Sequence, residues 1–178
     1  MTHVALLRGI NVGGNNALPM KDLAQMFSDA GCKAVRTFIQ SGNVIFDAPA
    51  GAPGIGDAVK AKIEKRYGYR IPVVIRTSEQ LLKTIRDNPF LKAGAEEKML
   101  HVYFLADSPK ASAIAGLDPA RSAPDAFHLR GQEIYLHLPN GMARTKLTNA
   151  YFDSKLSTIC TARNWATVLK LAAMMAEG

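Results

Sequence analysis

The feature that most constrains the fold of this chain is an order of periodicities: strand, helix, two strands joined by a turn, helix, strand. Val4 to Leu7 is uninterrupted apolar sequence and reads as a covered strand. Leu23, Met26, Phe27 and Ala30 then recur at helical spacing, with Pro19 in the first turn and Gly31 as the stop. Arg36–Ser41 and Val44–Asp47 flank a Gly42-Asn43 pair, which predicts a two-residue hairpin. Ala48 to Gly56 is a loop by composition. Val59, Ile63 and Tyr67 mark a second helix stopped by Gly68, and Ile71 to Arg76 reads as the next strand. This order is the split βαβ, or ferredoxin-like, plan, in which two helices cover one face of a four-stranded antiparallel sheet.

The second half repeats much of the first. Thr77-x-x-Gln80 predicts a capping box for a helix carrying Leu81, Leu82 and Ile85, ended by Asn88-Pro89. Met99 to Leu105 reads as a strand and Pro109 to Ala115 as a short helix. Phe127-His-Leu-Arg-Gly131-Gln-Glu-Ile-Tyr135 mirrors Phe38-Ile-Gln-Ser-Gly42-Asn-Val-Ile-Phe46, and His101-Val102 echoes His3-Val4. A duplicated β-α-β-β unit explains these echoes; the plainer alternative is that two hairpins share turn chemistry. In the second hairpin Phe127, Leu129, Ile134 and Leu136 share one face, while His128, Arg130, Glu133, Tyr135 and His137 take the other. That sheet is therefore expected to be wet on one side. The first sheet, with apolar residues facing both ways, is expected to be covered on both, with the stripe Trp165, Val168, Leu169 and Ala172 of a C-terminal helix as the second cover.

Composition narrows the class. With 48 % hydrophobic and 21 % charged residues the chain reads as an ordinary globular protein. Its 178 residues fit one domain or two small halves. Cys32 and Cys160 form no Cys-x-x-Cys pair, and no secretory leader is visible, so a cytoplasmic location is expected. No apolar run reaches the roughly 20 residues that span a bilayer, so no membrane partner is expected. The formal net charge of +7 favours anionic partners. The charge is scattered, however, and Lys60 to Arg66 reads as a solvated helix face.

The chemistry centres on the loop Arg8-Gly9-Ile10-Asn11-Val12-Gly13-Gly14-Asn15-Asn16, between a strand and a helix. One reading is an anion cradle, in which the N–H groups of Gly13 to Asn16 and the charge of Arg8 meet a phosphate or carboxylate. The other is a tight crossover that needs positive φ at Gly and Asn. Neither Gly-x-Gly-x-x-Gly nor a Gly-Lys-Ser/Thr ending occurs here, so ordinary nucleotide motifs are not supported. Acylphosphatases, also ferredoxin-like, hold phosphate after their first strand, an analogy of fold alone. A second polar set, Arg144, Lys146, Asn149, Arg163 and Asn164, has its own two readings. Thr145 or Thr148 can start a helix whose positive end faces an anion, or Asn164 can simply cap the last helix while Arg163 pairs with a carboxylate. Ser41 and Asn43 are explained by turn chemistry. His3, His101, His128 and His137 lack metal-ligand spacing, and no carboxylate pair stands out for acid–base work. The aromatic signature of single-strand RNA binders is missing, so nucleic acid rests on charge alone.

The segments Ala5 to Gly14, Phe38 to Phe46, Thr145 to Asn149 and Thr161 to Val168 resemble a bacterial family of unknown function, the domain-of-unknown-function 1697 family. The resemblance runs nearly end to end and implies a tandem pair of ferredoxin-like (alpha-beta plait) halves. It implies no established activity, and it leaves the cofactor unknown. Its signature positions are Arg8, Gly9, Asn11, Gly13, Gly14, Gln40, Ser41, Gly42, Asn43, Lys146, Leu147, Asn149, Arg163, Asn164 and Trp165. The expectation is an α+β protein with two antiparallel sheets. Its first half would span residues 1–90, and its second, a βαββ-type half with C-terminal helices, residues 91–178. A small anionic ligand is expected at Arg8, Asn11, Gly13, Gly14 and Asn15, with Lys146, Asn149, Arg163 and Asn164 as further candidates. Nucleic-acid binding and protein contact through the hairpin tips are the alternatives. Catalysis stays open.

Overall fold

The first strand shows why both faces of its sheet are covered. In the computed structural model, which describes residues 1–49 and 53–177, β1 (Thr2–Leu7) has no exposed residue from His3 to Leu7. Ala5 and Leu7 point to one face and Val4 and Leu6 to the other. The first face packs with Val44 and Phe46 of β3 (Asn43–Asp47) under α1 (Met20–Asp29) and α2 (Ile55–Tyr67). Leu23, Met26 and Phe27 of α1 and Val59 and Ile63 of α2 supply the helical side of that core. Gly68, at φ 75, lets α2 close with its N–H on the Glu64 carbonyl. Residues 50–52 of the expected Ala48–Gly56 loop lie outside the described residues.

With β2 (Lys33–Phe38) and β4 (Val73–Thr77) the first sheet has the order β2-β3-β1-β4, antiparallel throughout. The second sheet has the same order, β6-β7-β5-β8. It is built from β5 (Leu100–Leu105), β6 (Ala126–Arg130), β7 (Glu133–His137) and β8 (Cys160–Asn164). Here α5 (Ala111–Ala115) and α6 (Asn149–Leu156) cover one face, with Tyr103, Ile134, Leu136 and Phe152 central to the core. The second half is therefore a complete βαββαβ unit rather than the βαββ-type half expected. Its last strand escaped notice because Thr161, Arg163 and Asn164 break the apolar pattern that marks strands.

Both sheets feed straight into a helix: α3 (Ser78–Arg86) follows β4, and α7 (Trp165–Ala176) follows β8. The expected capping box is present. Thr77 N–H donates to Gln80 Oε1 (2.8 Å), and Gln80 N–H donates back to Thr77 Oγ1 (3.1 Å). After α3, Asn88 Oδ1 accepts from Phe90 and Leu91 at the start of α4 (Pro89–Lys92). The chain divides into two compact units, Met1–Leu82 with the residues from Lys170 on, and Lys83–Leu169. The break thus differs from the one expected near residue 90, and the end of α7 goes with the first unit. There Arg36 Nη2 donates to the Met174 carbonyl at 2.8 Å, a cation on the negative end of the helix.

Two expectations about the hairpins need correction. The first turn is four residues, Ile39–Gly42, between the partners Phe38 and Asn43. Asn43 is a buried strand residue whose Nδ2 donates to the Phe38 carbonyl (3.0 Å) and to Ser41 Oγ (3.2 Å). The second turn, Gly131-Gln132, has only two. The sequence mirror between the hairpins is consequently offset by one: Ile45 and Tyr135, not Phe46 and Tyr135, occupy matching positions opposite Val4 and Val102. Nor is the second sheet wet across one side. Leu100, Val102, Phe104, Tyr135 and Thr161 share the face of His128 and Arg130, and all five are buried. Among the described residues, the exposed side chains of that face, His128 and Arg130, are confined to β6, because the central strand β5 is apolar there.

Candidate functional site

The end of the first sheet where β1 and β2 finish carries two of the distinctive sequence segments. After Leu7 the chain turns through Gly9 at φ 74 and buries Ile10. It then forms a miniature hairpin: Asn11 N–H donates to the Asn16 carbonyl (3.2 Å) and Asn15 N–H to the Val12 carbonyl (2.9 Å). Gly13 and Gly14, at φ 58 and 77, are the two central residues, the pattern of a type I′ turn. Asn11 and Asn16 also take positive φ, 53 and 49, which asparagine tolerates better than other side-chain-bearing residues.

Two side chains lock this loop. Asn16 Nδ2 donates to the Gly9 carbonyl at 2.8 Å. Asn11 Nδ2 donates to the carbonyls of Leu18 and Gln40, both at 2.9 Å, while its Oδ1 accepts the Leu18 N–H at 2.8 Å. Asn11 thereby ties the loop to the Ile39–Gly42 turn. Gly42 completes the junction: Leu7 N–H donates to its carbonyl, and a β-carbon there would lie 2.8 Å from Leu7 Cβ and 3.0 Å from Ile10 Cδ1. Ile39 holds a φ of 50, unusual for a β-branched residue, and is half exposed, as is Val12.

The expected ligand residues separate accordingly. Gly13, Gly14 and Asn15 sit at the exposed tip, and the N–H groups of both glycines have no hydrogen-bond partner among the described residues. The Asn15 side-chain amide also makes no hydrogen bond among the described residues, and its Nδ2 lies 4.0 Å from the point where a Gly13 β-carbon would stand. Arg8, half-buried, lies at the base of the loop with its N–H on the Pro72 carbonyl. Asn11 departs from expectation: both of its amide hydrogens are committed, so its side chain is framework.

The remaining candidates belong to the second unit. Arg163 is buried on β8, where Nη1 donates to Thr161 Oγ1 (3.1 Å) and to the Ala162 carbonyl (2.7 Å). Desolvation lowers its pKa to about 10. Asn164 caps α7, with Oδ1 accepting the Thr167 N–H at 2.8 Å. Arg163 is thus engaged in local hydrogen bonds inside the sheet, and the Asn164 side-chain oxygen is engaged in capping. Thr148 caps α6 through the Tyr151 N–H. Asn149 follows it and lines a cleft of about 390 Å³ with Tyr103, Met142 and Thr145. Lys146 is exposed, and its backbone is held by Ser122 Oγ and Arg121 Nε.

One residue escaped the sequence reading. Arg76 faces Val4 on β4 as Arg163 faces Val102 on β8; it too is buried, and its Nη1 likewise donates to the preceding carbonyl, that of Ile75 (3.0 Å). The signal was an arginine immediately before the helix-capping residue in both Arg76-Thr77 and Arg163-Asn164. Among the described residues no group of three or more His, Cys, Asp or Glu is placed to hold a metal, and no helix is long and apolar enough to cross a membrane. Cys32 and Cys160 are buried and form no disulfide among the described residues, and burial pushes the Cys32 thiol up.

Two βαββαβ units of identical sheet order, one bearing a pinned Gly/Asn loop, define a two-unit α+β protein with its most distinctive sequence at one sheet end. The chain belongs to the family described as Protein of unknown function (DUF1697), whose model matches residues 1–135. A solved structure described as that of the conserved bacterial protein SP0830 from Streptococcus pneumoniae is similar over 98 % of each chain, at 18 % identity and a TM-score of 0.76. That likeness concerns the fold. No curated protein matched the chain.

Proposed function

We propose that the protein binds a small anionic group, a phosphate or a carboxylate, at the tip of the Gly/Asn loop. One observation carries this reading: the main-chain N–H groups of Gly13 and Gly14 have no partner among the described residues and are exposed on a turn that two asparagine side chains hold in place. Donors fixed before the ligand arrives lose little freedom on binding, and their dipoles favour negative charge. Asn15 Nδ2 adds a third donor beside them, and Arg8 adds positive potential from the base. Base stacking of RNA on a sheet face is less well supported, since Phe104 and Tyr135 on the second sheet are buried. We further read the matched registers as a tandem duplication, and the two unbridged thiols as those of a bacterial cytoplasmic protein.

The test is a titration of the nitrogen-15-labelled protein with inorganic phosphate and with acetate at low ionic strength. The Gly13 and Gly14 amide signals should shift saturably, and Asn15→Ala should weaken the effect several-fold without changing thermal stability. Static glycine signals, or shifts confined to the second unit around Lys146, would overturn the reading. A second reading, protein contact at the same tips, is favoured by the half-exposed Val12 and Ile39. Ile39→Asn relieves the left-handed strain while removing the apolar contact, so a binding partner lost by that change but kept by Asn15→Ala would support it.

A further inference from the structure

The two sheets share an order but differ in how their hairpin edge strands meet solvent. In the first, β2 is blunted: the register slips between Lys33 and Arg36, and Ala34 sits at φ 49. A bulged edge is a poor template for another strand. In the second, β6 pairs with β7 in unbroken register, from Ala126 opposite His137 to Arg130 opposite Glu133. The two-residue turn at Gly131-Gln132 makes Arg130 and Glu133 a hydrogen-bonded pair, so Arg130, His128 and Ala126 direct their main-chain groups to β7. Phe127 and Leu129 therefore direct theirs away from the sheet. Neither N–H has a partner among the described residues, and β6 has no buried residue.

The charge beside this edge is one-sided. His128 and Arg130 are exposed on one face, and Arg130 Nη1 donates to the Asp87 carbonyl (3.3 Å) at the end of α3. The Asp87 carboxylate is already held by Lys83 (2.8 Å) and Arg86 (3.8 Å), and Lys92 adds a further cation nearby. Lys83, Arg86, Lys92 and Arg130 thus outnumber Asp87 and Glu133. On the other face Phe127 and Leu129 are half-buried against the α5–α6 core and leave an apolar flank.

We propose that the β6 edge takes an extended peptide segment of a partner protein by strand addition, with acidic side chains over His128 and Arg130 and apolar ones beside Phe127 and Leu129. Main-chain groups of Phe127 and Leu129 supply the ladder, and alternation in the peptide matches the two faces of the edge. A second copy pairing antiparallel through its own β6 would bring like charges together, which disfavours it as the occupant.

The experiment uses the full chain and two blocked peptides, one alternating Val and Glu, the other Val and Lys. The Val-Glu peptide should bind at least about tenfold more tightly and should slow amide hydrogen exchange at Phe127 and Leu129. The double change His128→Gln with Arg130→Gln, at exposed positions and without setting a like charge opposite Glu133, should cost it several-fold while thermal stability holds. Leu129→Pro, which removes one outward donor and none directed at β7, should abolish the exchange effect. Equal binding of both peptides, binding that leaves those two amides exchanging freely, or self-association through β6 that excludes the peptide would each overturn the proposal.

Discussion

Replacing Asn11 separates the two jobs its side chain could do, holding the loop or holding a ligand. In Asn11→Ala the loop loses two partly buried hydrogen bonds involving Leu18, about 1 kcal/mol each, and a more exposed one to Gln40, about 0.5 kcal/mol. Alanine at a φ of 53 adds about 1 kcal/mol more. The total is about 3.5 kcal/mol, large against the stability of a small unit. Asn11→Gly keeps the bond losses but removes the dihedral strain, so it should be about 1 kcal/mol less damaging than alanine. Asn11→Asp retains the acceptor for the Leu18 N–H while turning a carboxylate toward two carbonyls. It should destabilise at least as much as alanine. The assays are chemical denaturation for the free energies and amide exchange at Leu18 for the mechanism. Leu18 should lose protection in the alanine and glycine variants and keep it in the aspartate variant. A loss below about 1 kcal/mol for Asn11→Ala, or unchanged protection of Leu18, would refute the framework role.

Two further predictions follow from the structure. Gly42→Ala places a β-carbon 2.8 Å from Leu7 Cβ at a φ of 90, so it should cost more than about 2 kcal/mol, whereas Gly14→Ala, in open space at a φ of 77, should cost only about 1 kcal/mol by thermal unfolding. Burial lowers the pKa of His101, so the folded state resists protonation while the unfolded chain takes up a proton below its ordinary value of about 6.5. Its share of stability is therefore intact above that pH and falls as the pH drops toward the depressed folded value. His101→Gln should lose less thermal stability than the parent between about pH 7.5 and about pH 5, and identical losses would show that His101 is not responsible.

The first unit was legible because its elements carry separate, unmixed signals: an apolar run Val4–Leu7 in β1, a helix with one stripe, and a glycine between two strands. The capping box at Thr77 and Gln80 was equally readable, since both residues act within one turn. What failed depended on neighbours absent from the local sequence. β8 has arginine and asparagine where strands usually alternate, and its burial comes from pairing with β5. The face of Tyr135 looked solvated because its own hairpin carries His128 and Arg130 there, while Leu100, Val102 and Phe104 come from another strand. The turn length was missed because nothing in Phe38-Ile39-Gln40 announces a β-branched residue at positive φ. Asparagines in a glycine-rich loop fit a clamp and a ligand equally well; only the bonds to Leu18, Gln40 and Gly9 show that the Asn11 and Asn16 side chains clamp, whereas the Asn15 side chain makes no such bond among the described residues.

The contrast between the units separates what the shared sheet order needs from what it does not. Sheet order, strand register from His3 and His101 onward, and the buried arginine before each capping residue are shared, and such features serve packing. The connections differ. Residues 8–19 separate β1 from α1, whereas residues 106–110 separate β5 from α5. The β2–β3 turn has four residues against two for its counterpart. Both elaborations fall at the same sheet end and are stitched together by one side chain, Asn11. A frame that needs only a short crossover in one unit has no folding reason for a long, glycine-rich, pinned one in the other. Loops held rigidly on a scaffold are where binding groups are usually presented. The exposed tip at Gly13 and Gly14 is thus the part of the first unit that its fold does not require.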